Sequence, residues 1–177
     1  MRSLAALTLT VVLGAAACGP SAPPKAAACV VTPSAAPASR AIIELAGGGT
    51  ITIALRPDKA PRTVANFASI ARSGCYDGLS FHRVVPNFVI QGGDPLGNGT
   101  GGGTQPAEYN DLPFVKGAVG IARGQDKAIN NAYQFYICIG ECRSLDGEYT
   151  NFGLVTAGQA VADAVKVGDK IKTIRIE

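Results

Sequence analysis

The sequence predicts a mainly β domain, in the form of a closed eight-stranded antiparallel β-barrel capped by two α-helices. Eight short apolar or alternating runs are separated by turn residues, and only two segments have a helical pattern. Closure favours the barrel over the alternative, a β-sandwich, because it leaves no long apolar edge exposed. The eight predicted strands are residues 41–45, 50–55, 81–85, 88–91, 119–122, 134–139, 152–155 and 171–176.

The first two of these strands flank the glycines at 47–49 and are predicted to form a β-hairpin. A helix is predicted to begin at Pro61, because the N–H that proline lacks has no partner in a first helical turn. Gly74 is expected just past its end. A short second helix over 158–165 precedes the last strand. The first helix has an apolar face at helical spacing, formed by Val64, Phe67, Ala68 and Ala71.

A signal peptide is predicted for residues 1–17, which combine Arg2, an apolar run and small residues before Cys18. As a helix, the apolar run would be about 21 Å long, against about 30 Å of hydrocarbon in a bilayer, so a membrane-spanning helix is disfavoured. Small residues directly before a cysteine resemble the lipobox of bacterial lipoproteins, although Ala15 stands where that motif favours Leu.

This resemblance implies cleavage before Cys18 and attachment of an acyl chain, such as palmitate, to that cysteine. We therefore expect an exported protein that is lipid-anchored on the extracytoplasmic face of the cell membrane, with ordinary secretion as the alternative. Residues 18–39 would then be the lipidated cysteine and a linker rich in Pro, Ala and Ser. The folded domain is predicted to span 40–177.

The cysteines leave the disulfide pairing open. With Cys18 acylated, an even number remains in an exported protein, and three pairings of these four are possible: Cys29, Cys75, Cys138 and Cys142. A zinc site is disfavoured, because Cys138 and Cys142 have neither a second cysteine pair nor a nearby histidine. We expect no metal and no cofactor.

Nucleic-acid binding is disfavoured by a net charge of only +3 and by the lack of interleaved basic and aromatic residues. The stretch FHRVVPNFVIQGGDPLGNGTGG, residues 81–102, contains the only histidine and many glycines. It does not fit a phosphate-binding loop, since no helical pattern and no lysine follow the glycines. We expect the glycines to serve turns and close backbone approach. His82 is predicted to be an inward-facing, hydrogen-bonded residue rather than a catalytic base.

Alternation along the predicted strands groups polar and apolar side chains on one surface. Phe81, Arg83 and Val85 are expected to share one face of their strand, with His82 and Val84 on the other. If the following strands are neighbours, one patch would carry guanidinium and amide donors on an apolar base, formed by Arg83, Val89, Gln91, Gln134 and Tyr136. The patch has no nucleophile and no acid–base pair. Spacing alone leaves an ordinary exposed polar face as the alternative.

Several segments, in this order, resemble motifs of the cyclophilins, which are peptidyl-prolyl cis–trans isomerases: APRTVANF, FHRVVPNFVIQGGDP, GNGTGG, QFYIC and LDGEYTNFG. The resemblance runs from about Arg40 to Glu177. It implies the eight-stranded barrel with two helices and an enzyme that rotates X–Pro peptide bonds without a covalent intermediate or cofactor. The implied substrates are proline-containing polypeptides, here exported proteins during folding, and we expect a monomer.

The resemblance also implies the roles of individual residues by their position in the motifs. Arg83 matches the catalytic arginine, with Gln91 orienting it and Phe88 beside it. The pocket for the proline ring is implied to consist of Phe88, Val89, Tyr136 and Leu145. The groove for the substrate main chain is implied to involve Gln134 and the backbone of Ala122 and Arg123. His82 and Tyr149 complete the implied substrate-binding set.

The chain departs from the family pattern at four positions of the site. Val89 stands where many members have Met, Tyr136 where Phe is commoner, and Tyr149 where animal members have His. Ser144 replaces a Trp that contacts cyclosporin, so weak cyclosporin binding is expected. These departures keep open an alternative function, a peptide-binding chaperone module with little catalysis. A small-ligand barrel is disfavoured, because a small eight-stranded barrel is filled by its own side chains.

Overall fold

All eight predicted strands and both predicted helices are present in the computed structural model, which describes residues 29–177. Within that range a ninth, three-residue strand and one 3-10 turn were not predicted. In chain order the elements are β1 (Arg40–Leu45), β2 (Thr50–Leu55), α1 (Pro61–Arg72), β3 (Phe81–Val85), β4 (Val89–Gly92), β5 (Thr104–Pro106), β6 (Ala118–Arg123), β7 (Ile129–Cys138), the 3-10 turn (Arg143–Leu145), β8 (Asn151–Ala157), α2 (Gln159–Ala164) and β9 (Ile171–Ile176).

The strands form one curled antiparallel sheet in the order β3-β4-β7-β6-β8-β2-β1-β9, with β5 paired to β7. No ladder joins the outer strands β3 and β9 in this described part of the chain. An isolated bridge between Ser80 and Lys170 connects them instead, flanked by backbone hydrogen bonds such as Ile171 N–H to Leu79 O at 2.8 Å. The antiparallel half-barrel with two helices is therefore confirmed, and complete closure stays a prediction.

The barrel core contains the inward-facing side chains of the sheet and one face of α1. Phe67 of α1 lies 5.2 Å from the ring of Phe152 and 5.5 Å from that of Phe135, so the helix fills one end of the barrel with aromatic contacts. Val64 and Ala68, on the same face of α1, are also buried, which confirms the predicted apolar face. Burial of a large apolar side chain such as Phe67 stabilises the fold by about 1.5–3 kcal/mol.

The ends of α1 follow the predicted signals. The helix begins at Pro61, and Gly74, just beyond its C-cap, has φ of +70°, a conformation that glycine adopts without a steric penalty. The residue before Pro61 provides no side-chain cap. Instead, the carboxylate of Glu108 accepts hydrogen bonds from the backbone N–H groups of Arg62 (3.1 Å) and Thr63 (2.7 Å). A carboxylate at this end of the helix also complements its dipole.

Residues 29–39, which belong to the predicted linker, lie along α1. A disulfide joins Cys29 to Cys75 just beyond the helix, and Cys138 and Cys142 are both buried as thiols. The backbone N–H of Thr32 donates to Ser73 Oγ at 2.9 Å, and Arg72 donates to the carbonyls of two residues of the segment. The structure thus selects one of the three open pairings.

The predicted signal peptide and Cys18 lie outside the described residues. Across residues 29–177, no helix has both the length and the apolar character needed to cross a bilayer.

We expect the Cys29–Cys75 disulfide to stabilise the domain by about 2–4 kcal/mol, because it closes a long loop in the unfolded chain. Urea unfolding of the wild type with and without reductant measures this contribution. The matched control is the Cys29→Ala, Cys75→Ala double variant, whose unfolding midpoint should not respond to reductant. Equal midpoints for the oxidised and reduced wild type would contradict the expectation.

Candidate active site

A cavity of about 290 Å³ lies on the outer face of the sheet, where β3, β4, β6 and β7 meet the segment around the 3-10 turn. Nine of the eleven residues that the sequence analysis assigned to catalysis or substrate binding line this cavity: Arg83, Phe88, Val89, Gln91, Ala122, Arg123, Tyr136, Leu145 and Tyr149. His82 and Gln134 are the two that do not. The structure therefore brings most of the predicted set together, and the individual roles stay predictions.

A β-bulge in β3 aims Arg83 at this cavity. Phe81 lies opposite Gly92 and Arg83 lies opposite Gln91, so β3 has one more residue than β4 between the two pairs. Phe81 is therefore fully buried in the barrel core, whereas Arg83 is exposed on the outer face. The prediction that Phe81 and Arg83 share one face is wrong, because strict alternation does not allow for an inserted residue.

His82 is the inserted residue of the bulge and is half-buried. Both of its ring nitrogens are buried and neither has a hydrogen-bond partner among residues 29–177, so the hydrogen-bonded role of His82 stays a prediction. Its Nε2 lies behind the glycine-rich loop, where a Cβ on Gly99 would come within 3.9 Å of it.

A chain of hydrogen bonds orients Arg83. Its Nη1 donates to Gln91 Oε1 at 3.3 Å, and Gln91 Nε2 donates to Gln134 Oε1 at 2.9 Å. Gln134 Nε2 in turn donates to the carbonyl of Gly101 at 2.8 Å. Within the described range, Gln91 is the one side chain that hydrogen-bonds Arg83. The remaining donors of the guanidinium are therefore available to a ligand in the cavity.

The pairing of β4 with β7 confirms the predicted faces of these strands. Gln91 lies opposite Tyr136, and Val89 lies opposite Cys138. These four side chains belong to the outer face, whereas Ile90, Phe135 and Ile137 point into the barrel core. The outer face therefore provides both apolar and amide groups to one cavity.

A second apolar cluster, separate from the barrel core, forms the floor of the cavity. Its buried members are Val89, Phe114, Ala118, Tyr136, Cys138 and Cys142. Phe114 stacks on Tyr136 with ring centroids 5.8 Å apart, and the edge of Tyr149 meets Tyr136 at 5.9 Å. The hydroxyl of Tyr136 packs against Gly120, where a Cβ would collide with it. This close approach requires glycine in the middle of β6.

Burial keeps the ionisable groups of this floor protonated at neutral pH. It raises the pKa of the Tyr136 hydroxyl and the pKa of both thiols, Cys138 and Cys142. A protonated thiol is a poor nucleophile, so neither cysteine is suited to covalent catalysis. Across residues 29–177, no three His, Cys, Asp or Glu side chains form a candidate metal site. The cavity provides apolar contact, amide groups and two guanidinium groups.

The glycine-rich loop after β4 holds the far end of the hydrogen-bond chain. The buried carboxylate of Asp94 accepts backbone N–H groups from Leu96 (3.0 Å), Asn98 (2.9 Å) and Gly99 (2.5 Å). Burial alone would raise the pKa of Asp94, but these three hydrogen bonds outweigh it and hold the pKa below its usual value. A Cβ on Gly101 would overlap the same carboxylate, so the glycine serves a close approach, as predicted.

Two parts of the site were missed by the sequence analysis. Asn131 Oδ1 accepts the backbone N–H groups of Tyr133 and Gln134, both at 2.8 Å, and its Nδ2 donates to Gly101 O at 2.8 Å. Asn131 stands three residues before the predicted strand 134–139, although it lies within β7 in the structure, and an asparagine at such a position is the signal that would have indicated these local hydrogen bonds. Phe114, which lies in an irregular loop, has no periodic pattern that would have identified it as part of the floor.

Gln134 lines a neighbouring cavity of about 390 Å³, which shares Gln91, Ala122 and Arg123 with the first. The two cavities therefore meet along the end of β6. Of the residues assigned from sequence, only His82 contacts neither of them.

Comparison with known proteins gives a consistent picture. The model of the family described as cyclophilin type peptidyl-prolyl cis-trans isomerase/CLD matches residues 41–177. A probable peptidyl-prolyl cis-trans isomerase of Brucella suis is 39% identical over 155 residues, which cover 80% of this chain and 79% of the relative. Peptidyl-prolyl cis-trans isomerase B of Bacillus subtilis is 41% identical over 135 residues, which cover 75% of this chain and 94% of the relative.

The fold is similar to that of a cyclophilin type peptidyl-prolyl cis-trans isomerase of Cryptosporidium parvum, whose crystal structure was determined in the presence of the dipeptide Ala-Pro. The two chains align with a TM-score of 0.71 and 27% sequence identity, covering 78% of this chain and 98% of the other. The residues 41–177 that the family model matches include both helices and every strand of the present chain apart from the first residue of β1.

We expect Asp94→Asn to lower the free energy of unfolding by about 1–3 kcal/mol at neutral pH, because an amide N–H₂ would face backbone donors. Since the folded-state pKa of Asp94 is lowered, its stabilisation is complete above the unfolded pKa of about 3.9 and is lost as the pH falls through the folded-state pKa. The difference between wild type and variant should therefore shrink in acid.

Urea unfolding of both proteins at about pH 7 and about pH 2 measures this difference. Asp126→Asn is the matched control, because the Asp126 carboxylate accepts a single N–H, that of Ala128, in an exposed turn. The Asp126→Asn change should lower the free energy of unfolding by less than Asp94→Asn does. A difference between wild type and Asp94→Asn that is independent of pH would contradict the assignment.

Proposed function

The chain belongs to the cyclophilin-type peptidyl-prolyl cis–trans isomerases and catalyses rotation about X–Pro peptide bonds, and we propose that it does so through Arg83 on exported polypeptides. The observation that carries this proposal is the placement of the Arg83 guanidinium beside an apolar cavity, held there by Gln91. The Ala-Pro dipeptide named for the Cryptosporidium parvum structure supports proline-containing peptides as the ligands of this cavity.

The chemistry follows from what holds an X–Pro bond planar. Amide resonance gives the rotation a barrier of about 18–20 kcal/mol, and in the twisted state the prolyl nitrogen regains its lone pair. A hydrogen bond from Arg83 to that nitrogen stabilises the twisted state and not the planar one, which is the differential binding that accelerates a reaction. The guanidinium is already oriented by Gln91, so little reorganisation accompanies the step.

The apolar part of the cavity has a different task. Phe88, Val89, Tyr136 and Leu145 would hold the proline ring in place while the acyl side of the bond turns. Gln134 and the backbone of Ala122 and Arg123 would bind the main chain of the peptide in the neighbouring cavity. A charge-assisted hydrogen bond of about 1.5–3 kcal/mol accounts for a rate factor of about ten to a hundred. Positioning by the pocket supplies a further part of the acceleration.

We expect Arg83→Ala to lower kcat/KM at least about tenfold, because the donor to the prolyl nitrogen is lost. Arg83→Lys should recover only part of the activity, since lysine lacks the planar fork that Gln91 orients. Protease-coupled isomerisation of a prolyl peptide measures both. Arg175→Ala is the matched control, because Arg175 lies on β9 of the same sheet, outside the cavity, and pairs with Glu44.

Near wild-type activity of Arg83→Ala would overturn the mechanism, provided that its urea unfolding midpoint is unchanged. Low activity of the wild type itself, with peptide binding retained, would instead favour the chaperone-like alternative.

We further propose that the domain is exported and anchored through an acyl chain on Cys18. The sequence layout of residues 1–17 supports this, and so does the Cys29–Cys75 disulfide, because disulfides persist mainly in oxidising compartments. In cells, radiolabelled palmitate should enter the protein, and Cys18→Ala should abolish the label. Cys138→Ala, the control, should keep it. Absence of label in the wild type would leave ordinary secretion as the explanation, and label that survives Cys18→Ala would overturn Cys18 as the acylated residue.

Three further proposals rest on the same site and fold. Weak binding of cyclosporin is expected because the exposed Ser144, beside Leu145 in the 3-10 turn, offers no apolar surface at the rim of the cavity. Closure of the barrel is supported by the backbone hydrogen bonds between residues 78–81 and 168–171. A monomeric state remains our expectation.

A further inference from the structure

The guanidinium of Arg123 lies at the boundary between the two cavities and is almost fully withdrawn from solvent. Its side chain is 10% exposed. Nε donates to the carbonyl of Glu148 at 2.9 Å, Nη1 donates to the carbonyl of Gly124 at 2.9 Å, and Nη2 lies 3.5 Å from the Glu148 carboxylate. The edges of the guanidinium are therefore occupied, which fixes the plane of the group.

One face of this fixed plane covers the ring of Tyr149. The Cζ atom of Arg123 lies 4.5 Å from the ring centroid, which is the geometry of a cation–π contact. The edge of the same ring meets Tyr136, the floor of the proline pocket, at an interplanar angle of 86°. Tyr149 is thus held between Arg123 on one side and Tyr136 on the other. In the described part of the chain, its hydroxyl has no hydrogen bond that would hold the ring independently.

The Glu148 carboxylate offsets part of the positive charge of Arg123 and is shared with a second cation. Lys127 Nζ lies 2.5 Å from the same Glu148 carboxylate, on its solvent side. The hydrogen bond from Lys127, together with the charges of Lys127 and Arg123, lowers the pKa of Glu148, so the carboxylate stays ionised and keeps its contact with Arg123. What Arg123 presents towards the pocket is a flat, immobilised surface behind Tyr149.

We propose that Arg123 is a positioning residue, which fixes the ring of Tyr149 as one wall of the proline pocket and thereby sets substrate affinity rather than turnover. This inference rests on the proposed function of the cavity. Because the Tyr149 ring is already ordered before the peptide binds, the free energy of binding is not reduced by the entropy cost of ordering that ring. The proline ring that such a wall contacts is the same in the cis, trans and twisted states. Its loss therefore weakens ground-state and transition-state binding equally, which raises KM and leaves kcat unchanged.

Steady-state isomerisation of a prolyl peptide over a range of concentrations tests the proposal, because it separates KM from kcat. Arg123→Ala should raise KM about tenfold and change kcat by less than about twofold. Arg123→Lys should show most of the same rise, since an ammonium group keeps the charge but lacks the planar fork. Arg56→Ala is the matched control: Arg56 forms a similar guanidinium–carboxylate pair with Asp58, away from both cavities, and its loss should change neither parameter.

A double-mutant cycle with Tyr149→Ala tests whether Arg123 acts through Tyr149. If it does, adding Arg123→Ala to Tyr149→Ala should raise KM by less than about twofold further, because the ring that Arg123 positions is already absent. Urea unfolding accompanies each variant. Should Arg123→Ala fail to fold, Arg123→Met keeps the apolar stem, removes the guanidinium and carries the same expectation.

Four results would overturn the proposal: an unchanged KM in Arg123→Ala, complete recovery in Arg123→Lys, a fall in kcat without a rise in KM, or additive effects in the cycle. Each of them would leave the activity of the wild type and the loss in Arg83→Ala intact. Failure of the proposed function would instead appear as an inactive wild type or an unaffected Arg83→Ala, so the two failures are distinguishable.

Discussion

The pairing of β4 with β7 is the constraint on which the site depends, because both faces of this ladder are buried. Ile90 and Ile137 pack into the barrel core, while Val89 and Tyr136 pack into the outer cluster. Antiparallel sheets commonly leave one face to solvent, whereas the outer face of this ladder packs against an apolar cluster of its own. Here a slip of one residue would exchange the two sets of side chains, so the packing that stabilises the barrel also fixes the register of the pocket.

The polar half of the site depends on a loop rather than on the ladder. Gly101 presents its carbonyl to Gln134 because Asp94 gathers the preceding N–H groups of the loop around one buried carboxylate. From Gln134 the hydrogen bonds pass to Gln91 and then to Arg83, so the orientation of the guanidinium is set several residues away from it. An extended arginine with a single side-chain partner would otherwise lose much of its rotamer entropy on binding a peptide.

The faces of the strands could be predicted from the sequence where the strand is regular, because side chains then alternate strictly between the two faces. Alternation placed Val89 with Gln91 and Gln134 with Tyr136; the β4–β7 register pairs Gln91 with Tyr136, and Gln134 accepts a hydrogen bond from Gln91. The prediction failed in β3, because the bulge at His82 inserts one residue and so reverses the faces of the residues on either side of it. No residue type in the sequence indicates that bulge. The pairing of Cys29 with Cys75 depends on how residues 29–39 cross α1, which local pattern does not encode. For Arg123, motif position suggested only a backbone contact, whereas its role depends on a neighbour 26 positions away in sequence, Tyr149.

The two arginines of the cavity show how partners, rather than residue type, decide a role. Arg83 has one hydrogen-bonded side chain and is exposed, so most of its donors remain for a developing lone pair. The donors of Arg123 are directed at two carbonyls and a carboxylate, so what remains is a flat surface against an aromatic ring. An unsatisfied guanidinium gains most in the twisted state of the substrate, whereas a satisfied one contributes equally to every state. In the roles that we propose, the same side chain therefore serves the rate at one position and the shape of the pocket at the other.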